Sequence, residues 1–484
     1  MRGAAGGANL LALRSHNTAL VLDLLRTAGG AGISRLELAE RTGLTPQAVS
    51  KITARLRGEG LAAEAGRRAS TGGKPRTVLR LVPGAGHALG VHLDRDELRA
   101  VLVDLDGTVV AERRAPLDLG AGAETVLEMV ARAAEELAAE GLGHLVAEGA
   151  RVPGAALAAA PTLLGLGVAL PGPLDHVRGV LHRITGFPGW DGYPLREALE
   201  RRLGVPVVVD KDTNAAALGL AVGGAGGERG SGAVGERGSG AVGEAGGAGG
   251  EGGSRAGGEG GSRAGAEWGS GAVGEAGGAG GEGDSGAGVE AGGAGGQRGS
   301  RAGAEWGSGA GAEEGGAGAE AARAGARGGS FAYLHLGTGL GAGLVFGGGV
   351  HRGARTGAGE FGHQVVQLDG PPCTCGARGC IEALCLAAVA RGDLAEAARV
   401  LGTGAANLAG LLDIDLVLLG GRTVAAAPEA FVQGVGAVLD ARARREGGHD
   451  GPVPVRLAPA GTRGVAEGAA QLLLAPLFGR GEGG

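Results

Sequence analysis

The apolar positions of the N-terminal segment recur at helical spacing. A helix is expected over residues 17–28, where one face carries four apolar side chains, Leu20, Val21, Leu24 and Leu25. Ser34 and Glu37 have the spacing of a capping box, which predicts a second helix whose apolar face is formed by Leu36, Leu38 and Ala39. Gly43 follows at the point where a tight turn between two helices needs a positive φ angle.

A third helix is predicted after this turn, with Thr45 as its N-cap and Pro46 at its first position. Its inward face is predicted to carry Val49, Ile52 and Leu56. This is the plan of a helix-turn-helix, whose second helix presents polar residues to base edges in the major groove. We therefore predict DNA contacts from its outer face, by Thr45, Gln47, Ala48, Ser50, Lys51 and Arg55. The alternative is a small helical module for protein interaction.

A basic hairpin is predicted next. Strand-like runs at 61–65 and 77–82 flank the loop GRRASTGGKPR, which suits a wing that lies on phosphates or enters the minor groove. The wing residues predicted to contact DNA are Arg67, Arg68, Lys74 and Arg76. Residues 1–82 hold 13 Lys/Arg against 5 Asp/Glu, and the remainder holds 32 against 46. This asymmetry favours a polyanion partner for the N-terminal end alone.

From about residue 89 the pattern changes to apolar strands that alternate with amphipathic helices, which predicts an α/β fold. Strands are expected at LGVHL, RAVLVDL, LGLGVAL, PVVVD, FAYLHL and DLVLL, and a helix over 124–140. No run of about 18 apolar residues is present, and the N-terminus lacks the ordered regions of a signal peptide. A cytoplasmic protein with no membrane partner is therefore expected.

Residues 223–328 interrupt this pattern with glycine-rich near-repeats. GERGSGAV occurs twice from Gly227, and RAGAEWGSGA occurs at 263–272 and at 301–310. The segment has no apolar period and little to bury, so ordering it would cost more conformational entropy than it could recover. We expect a disordered insertion, of a length that is unusual inside a compact domain.

Two short motifs admit alternatives. GTGLGAG, from Gly337 to Gly343, follows an apolar strand and predicts either a turn that holds a phosphate or a plain hairpin. DLDGT, from Asp104 to Thr108, imitates the nucleophile loop of haloacid dehalogenase-like phosphatases. No helix follows it directly, so a β-hairpin turn at Asp106-Gly107 is the better interpretation.

A cysteine cluster is the most specific motif. One imidazole and three thiolates suit tetrahedral zinc, from His363, Cys373, Cys375 and Cys380. A closed set of four ligands predicts a structural zinc that holds a loop. Cys385 lies outside this spacing and is expected to be a buried apolar thiol. Redox chemistry on the cysteines is the competing interpretation.

Together these stretches resemble the ROK family (repressor, open reading frame, kinase), and in particular its xylose-repressor-like regulators. The matching segments include GLTPQAVSKITARL, STGGKPR, VALPGPLD, DKDTNAAALG, LGTGLGAGLV, GAGEFGH, CTCGARGCIE and DLVLLGG. The resemblance implies a two-lobed actin-like (sugar-kinase/Hsp70-type) ATPase fold that binds sugar between its lobes. The expected domains are a winged helix-turn-helix at 1–83, a first lobe at 84–222, the insertion at 223–328 and a second lobe at 329–484.

The chain departs from the family's G-x-D-x-G-G-T phosphate turn. At the aligned positions His92 replaces the aspartate, Asp94 and Arg95 replace glycines, and Asp96 replaces the threonine. Added carboxylates would repel a triphosphate, and side chains fill space that the backbone needs to approach phosphate. Phosphoryl transfer depends on positioning that group, so we expect no enzymatic activity.

The chain retains more residues of the sugar site that the resemblance implies than of the phosphate turn. Asp212 matches the family's general base, and the hydroxyl-binding residues correspond to Glu360, His363 and Glu382. Lys211 stands where the kinases usually have a sugar-binding asparagine. The helical stretch that follows Glu382 is also shorter than is usual in the family.

The sequence therefore predicts a sugar-responsive transcriptional regulator, most simply a repressor of genes for carbohydrate uptake or catabolism. Its expected partners are double-stranded operator DNA, a small sugar or sugar phosphate effector, and further copies of the chain in a homodimer or a dimer of dimers. The alternatives are an active sugar kinase with an appended DNA-binding domain, and a DNA-binding protein whose body is only a dimerisation scaffold.

Overall fold

The computed structural model describes seven stretches of the chain, namely residues 16–68, 76–143, 162–182, 187–223, 329–447, 451–459 and 461–480. The insertion predicted at 223–328 lies outside them, apart from Gly223, and so does the wing residue Lys74. All the described residues belong to one unit, formed by 1–229 and 311–484. Within these stretches, no helix is long and apolar enough to cross a membrane.

The N-terminal module, residues 16–81, combines three helices with a three-stranded antiparallel sheet. The helices are α1 (His16–Ala28), α2 (Arg35–Thr42) and α3 (Pro46–Gly58). The strands, in the sheet order β1-β3-β2, are β1 (Ile33–Ser34), β2 (Ala62–Arg68) and β3 (Arg76–Leu81). The three helices expected from the apolar pattern are confirmed.

Hydrogen bonds between near neighbours define the helix starts. The Ser34 hydroxyl accepts from the Glu37 N–H at 3.3 Å, and the Glu37 carboxylate accepts from the Ser34 N–H at 2.8 Å, so the capping box is confirmed. Gly43 has a φ of +70° in the turn. Thr45 Oγ1 accepts from the Ala48 N–H at 3.3 Å, which caps α3 as predicted.

Two details of the module differ from expectation. Leu36 is 42% exposed, because the inward face of the short helix α2 is centred on Leu38 and Ala39. The hairpin strands are longer than the apolar runs alone indicate, since β2 continues to Arg68, which pairs with Arg76 at the start of β3. Backbone pairing satisfies the N–H and C=O groups of these basic residues, so side-chain polarity does not end the strands.

The first-lobe sheet has the order β10-β7-β4-β5-β6. Its strands are β4 (His87–Leu93), β5 (Glu97–Asp104), β6 (Val109–Pro116), β7 (Leu163–Leu170) and β10 (Val207–Lys211). A small hairpin pairs β8 (Leu174–Asp175) with β9 (Val180–Leu181). Helices α4 (Ala123–Leu142) and α5 (Leu195–Leu203) share a buried cluster with this sheet, and α6 (Asp212–Gly223) follows β10 directly.

The DLDGT motif is the turn between β5 and β6. Asp104 Oδ1 accepts from the N–H groups of Asp106 and Thr108, each at 2.9 Å, and Gly107 has a φ of +85°. The predicted hairpin turn is confirmed. The Asp104 carboxylate is therefore a turn-stabilising acceptor, in place of the nucleophile that the motif imitates.

The second-lobe sheet has the order β13-β12-β11-β14-β15. Its strands are β11 (Ser330–Leu336), β12 (Leu340–Phe346), β13 (Gly349–Val350), β14 (Leu416–Gly420) and β15 (Val455–Leu457). Its helices are α7 (Ile381–Ala390), α8 (Leu394–Leu412), α9 (Arg422–Ala426) and α10 (Pro428–Glu446). The last helix, α11 (Gly464–Leu474), returns to the first lobe, where it packs on β4 and β7.

Helices α6 and α11 pack on each other in a cluster that also contains residues of both sheets. Gly90 in β4 permits this close approach. A Cβ at Gly90 would lie 2.1 Å from the Ala466 carbonyl oxygen and 2.7 Å from the Ala470 nitrogen, both in the backbone of α11. Small residues in β4 are therefore needed for α11 to lie against the sheet.

Gly90→Ala is expected to lower the free energy of unfolding by about 3 kcal/mol, because a helix backbone cannot move aside as a side chain can. Equilibrium unfolding in urea measures this change. Gly84→Ala is the matched control, since a Cβ there meets nothing within 4 Å. Equal stability of the two variants would contradict the close packing of α11 on β4.

The N-terminal module shares a core with the C-terminal end of the chain. Leu25 of α1 and Phe478 belong to one buried cluster. Asp23 accepts two hydrogen bonds from Arg480, at 3.1 and 2.8 Å, and the Arg26 guanidinium lies 4.7 Å from the centroid of the Phe478 ring. Helix α1 is thus held against the segment that directly follows α11.

Candidate functional site

A polar cleft lies between the two lobes. It is lined by the β4–β5 turn, the segments that follow β7 and β10, the β11–β12 turn, the loop 359–363 and the first turn of α7. Four side chains predicted to bind sugar line this cleft, namely Asp212, Glu360, His363 and Glu382. The fold therefore brings together residues that are up to 170 positions apart in the sequence, as the family resemblance implies.

Two of these carboxylates are oriented by backbone groups. Glu382 is 7% exposed, and its Oε2 accepts from the Leu340 N–H at 2.8 Å. Asp212, at the first position of α6, accepts from the Thr213 N–H at 2.6 Å. Carboxylates held in this way can accept directional hydrogen bonds from sugar hydroxyls with their remaining lone pairs.

Lys211 is buried beside the predicted sugar residues. Its ammonium donates to the Ala358 carbonyl oxygen and to Glu360 Oε1, the latter at 3.2 Å. The Lys211 side chain is 4% exposed, whereas that of Glu360 is 42% exposed. Lys211 therefore neutralises Glu360 and links the end of β10 to the loop that carries this carboxylate.

The residues that replace the family phosphate turn contact the opposite lobe. Asp94 Oδ1 accepts from the Thr338 hydroxyl at 2.7 Å, and Asp96 accepts from both terminal nitrogens of Arg422, at 2.9 and 2.8 Å. Burial opposes ionisation of Asp94, but hydrogen bonds from the Thr338 hydroxyl and the Arg95 N–H, together with the charge of Arg422, hold its pKa below the usual value. These two aspartates form interlobe contacts on the side of the cleft where the family binds phosphate.

GTGLGAG is a hairpin. Strands β11 and β12 pair antiparallel up to Leu336 and Leu340, and the turn between them carries Thr338, which donates to Asp94. The backbone of the motif is therefore a hairpin, as one of the two interpretations predicts. The threonine hydroxyl at its tip is engaged by a carboxylate of the first lobe.

His92, at the position of the family aspartate, is 8% exposed. Burial lowers its pKa, and its Nε2 atom has no hydrogen-bond partner among the residues that the structure describes. Its ring meets that of His335 edge to face, with the centroids 6.3 Å apart. A neutral imidazole cannot replace a carboxylate as a ligand for the magnesium that accompanies ATP.

A second set of contacts joins the lobes below the cleft. Arg352, after β13, donates to Asp210 of β10 at 2.8 Å, and Thr356 donates to the Leu174 carbonyl oxygen at 2.7 Å. The sequence analysis did not single out Arg352, Thr356 or Arg422, and it included Thr338 only as part of GTGLGAG. Their partners lie 142 to 326 positions away, so no local pattern could have indicated them.

The cysteine cluster forms one candidate metal centre. One ligand atom each from His363, Cys373, Cys375 and Cys380 lies within 4.8 Å of the other three. The His363 Nδ1 atom is 3.6 Å from Cys373 Sγ, and the sulfur atoms of Cys375 and Cys380 are 3.7 Å apart. The set predicted from the sequence is thus brought together at the edge of the cleft, with His363 common to both sites.

Cys385 is not part of this centre. It is fully buried in α7, where its thiol donates to the Ala397 carbonyl oxygen at 3.5 Å. Burial raises the pKa of Cys385 to about 12, so the thiol stays protonated and inert. Its prediction as a buried apolar thiol is confirmed.

The residues predicted to contact DNA lie on α3 and on the hairpin. Of the residues predicted at α3, the side chains of Thr45, Gln47, Ser50, Lys51 and Arg55 are exposed, and that of Ala48 is half-buried. Arg55 also donates to Thr18 of α1 at 2.5 Å. On the hairpin, Arg67 and Arg76 are exposed, the backbone of Arg68 lies in β2, and Lys74 is outside the described residues.

The fold and the cleft define a two-lobed α/β protein of the actin-like, sugar-kinase type. A crystal structure of a ROK family transcriptional regulator, a homologue of the Escherichia coli MLC protein, aligns with a TM-score of 0.58 at 17% identity, over 96% of this chain and 97% of that one. The ROK family model matches residues 88–231 and 314–391. These two stretches of the chain are therefore similar to the ROK family domain.

Curated relatives match part of the chain. A putative xylose repressor of Caldicellulosiruptor sp. (strain Rt8B.4) is 30% identical over 190 residues, 39% of this chain and 43% of that protein. The DNA-binding transcriptional dual regulator NagC of Escherichia coli (strain K12) is 30% identical over 216 residues, 45% of this chain and 48% of that protein. The match thus spans less than half the length of each relative.

Proposed function

We propose that this protein is a DNA-binding transcriptional regulator that responds to a sugar bound between the lobes of its ROK domain. One observation carries this proposal: α3, with an exposed polar and basic face, is packed through α1 against the segment that follows α11, the helix that packs on α6 in a cluster with residues of both sheets. A change in the closure of the lobes would therefore move the surface on which the DNA-reading helix is mounted. The names of the two relatives, a putative xylose repressor and a transcriptional dual regulator, support the same function.

For DNA binding, we interpret residues 1–83 as a winged helix-turn-helix. Helix α3 would enter the major groove with Gln47 and Lys51, and the β2–β3 hairpin would lie on the adjacent backbone with Arg67 and Arg76. Two copies of the chain would read a palindromic operator, as a symmetric dimer requires. Lobe boundaries at 84–222 and 329–484, separated by the insertion, complete the proposed organisation.

For the effector, Asp212, Glu360 and Glu382 would accept hydrogen bonds from sugar hydroxyls, and His363 would offer one nitrogen to the sugar and the other to a metal. The donor set of one imidazole and three thiolates fits zinc, which prefers four such ligands in structural sites. Zinc would hold the loop that carries Glu360 and His363, and would supply no chemistry beyond this support.

We expect no sugar kinase activity. Asp94 and Asp96 add negative charge at the phosphate position, and a buried neutral His92 replaces the carboxylate expected there. A coupled assay for sugar-dependent release of ADP from MgATP, with xylose, glucose and N-acetylglucosamine as substrates, should stay at the rate without sugar. A sugar-dependent rate above that background would favour the kinase alternative.

Operator selection tests the proposal on the full chain. Random duplexes retained by the purified protein are sequenced, and the enriched site is used in gel shifts at a stated salt concentration with and without each sugar. The expected results are a palindromic site and a change in its apparent affinity with at least one sugar. Failure to enrich any sequence would contradict DNA recognition, and operator binding that no sugar alters would favour the scaffold alternative.

A further inference from the structure

Arg95 lines the cleft from the β4–β5 turn. Its guanidinium carbon is 5.6 Å from the centroid of the Phe187 ring, and its Nη2 atom is 3.9 Å from the point that a Cβ of Gly339 would occupy. One face of the guanidinium is thus supported by an aromatic ring, and one edge reaches the β11–β12 turn of the other lobe.

The backbone that carries Arg95 is fixed by hydrogen bonds. The Asp94 N–H donates to the Glu97 carbonyl oxygen at 2.9 Å, and the Leu119 N–H donates to the Arg95 carbonyl oxygen at 3.1 Å. The Leu119 carbonyl oxygen in turn accepts from the Trp190 indole at 2.9 Å. A ligand that binds Arg95 therefore meets a turn whose backbone is already ordered, which reduces the entropic cost of binding.

The charges around Arg95 leave its guanidinium available. Asp94 and Asp96 are both turned towards Arg422, and Lys211 is paired with Glu360. Among the residues that the structure describes, no carboxylate lies within ion-pair distance of Arg95. Of the three charged residues that replace the family phosphate turn, the two aspartates share the single guanidinium of Arg422, and Arg95 faces the cleft.

We propose that Arg95 recognises an anionic group on the sugar, so that the effector is a sugar phosphate or a sugar acid and not the neutral sugar. This inference rests on the proposed function of the cleft. A planar guanidinium forms paired hydrogen bonds with phosphate or carboxylate oxygens, and it needs no magnesium. Asp212 and Glu382 remain for sugar hydroxyls. Glu382 Oε2 and Arg95 Nη2 lie 3.1 and 3.9 Å from the same point, the position of a Cβ on Gly339, so the negative charge of these carboxylates restricts the ligand to one anionic group, which faces Arg95.

Isothermal titration calorimetry on the zinc-loaded full chain tests this inference. The probes are glucose, glucose 6-phosphate, glucuronate, N-acetylglucosamine and its 6-phosphate, xylose and its 5-phosphate, and inorganic phosphate. At least one anionic sugar is expected to bind about 10- to 100-fold more tightly than its neutral counterpart, the range for hydrogen bonds to a charged group. Its affinity should fall with added salt, whereas that of the neutral sugar should not.

Arg95→Ala is expected to remove this preference and to leave the affinity for the neutral sugar within about threefold of its wild-type value. Arg95→Lys should keep part of the preference, since it retains the charge without the planar fork. If the alanine variant fails to fold, Arg95→Lys provides the test in its place. Arg132→Ala is the matched control, because it removes the same charge from an exposed ion pair on α4, and it should bind as the wild type does.

The outcomes separate this inference from the function on which it rests. Equal affinity for neutral and anionic sugars, unchanged in Arg95→Ala, would overturn the role of Arg95 and leave sugar sensing intact. Arg95-dependent binding of inorganic phosphate alone, with no sugar ester bound, would overturn the assignment of a sugar ligand. Binding of no probe, together with operator binding that no probe alters, would overturn both proposals.

Discussion

The double variant Gln47→Ala/Lys51→Ala is expected to bind the selected operator about 100-fold more weakly than the wild type, because a lost base contact costs about 1–3 kcal/mol and a lost phosphate contact adds to it. Both side chains are exposed on α3, so the stability of the fold should not change. Gel shifts over a range of salt concentrations measure the affinity. They should also show a slope of log K against log salt that is smaller by about 1, for the one lost cation.

The two single variants separate the loss of the phosphate contact from the loss of the base contact. Lys51→Ala should weaken binding to operator and to random duplex alike if Lys51 contacts phosphate, whereas Gln47→Ala should weaken operator binding alone. Arg132→Ala, which removes an exposed charge from α4, is the control for net charge. Wild-type affinity in the double variant would show that α3 is not the recognition helix.

Loss of the metal is expected to have the second large effect. The purified chain should contain about one zinc ion, and Cys380→Ser should abolish zinc binding and lower the free energy of unfolding by about 4 kcal/mol or more. Cys380 is fully buried, so the serine hydroxyl would also lack a metal partner in an apolar site. Metal analysis and urea unfolding measure the two results. Because His363 belongs to both sites, sugar binding should be lost with the zinc.

Cys385→Ala is the matched control for the metal variant. It removes a buried thiol from the same helical region, outside the cluster, and should keep the full zinc content. Hydrogen exchange should locate the effect of Cys380→Ser in residues 361–390, with the N-terminal module unchanged. A chain purified without zinc, whose stability a chelator does not alter, would contradict the metal assignment.

The features that were predictable from the sequence depend on near neighbours. The capping box joins Ser34 to Glu37, and the Asp106-Gly107 hairpin turn is held by Asp104. Interactions over two to four residues leave a direct signature in the order of residue types, so helix starts and turns could be located. The cysteine cluster was also predictable, because three of its four ligands lie within eight residues and zinc restricts their spacing.

The environment of the cleft could not be predicted in this way. The sequence showed that Lys211 stands where the family kinases usually have an asparagine. Its pairing with Glu360, however, depends on where the loop 359–363 crosses the end of β10. The exposure of Leu36 likewise depends on how α2 sits on its neighbours. Leu36 and Leu38 lie about 200° apart around the helix, so only one of them can face the core, and the packing of α2 selects Leu38.

The sequence by itself determined the helix-turn-helix pattern, the alternation of strands and helices, and the loss of the family phosphate turn, because each is written in consecutive residues. Only the tertiary structure decided what the replacements do. Asp96 pairs with Arg422, 326 residues away, and Arg95 stays open to the cleft, while Asp23 and Arg480 connect the two ends of the chain. Charge complementarity between distant residues depends on chain topology, which no local pattern of residue types encodes.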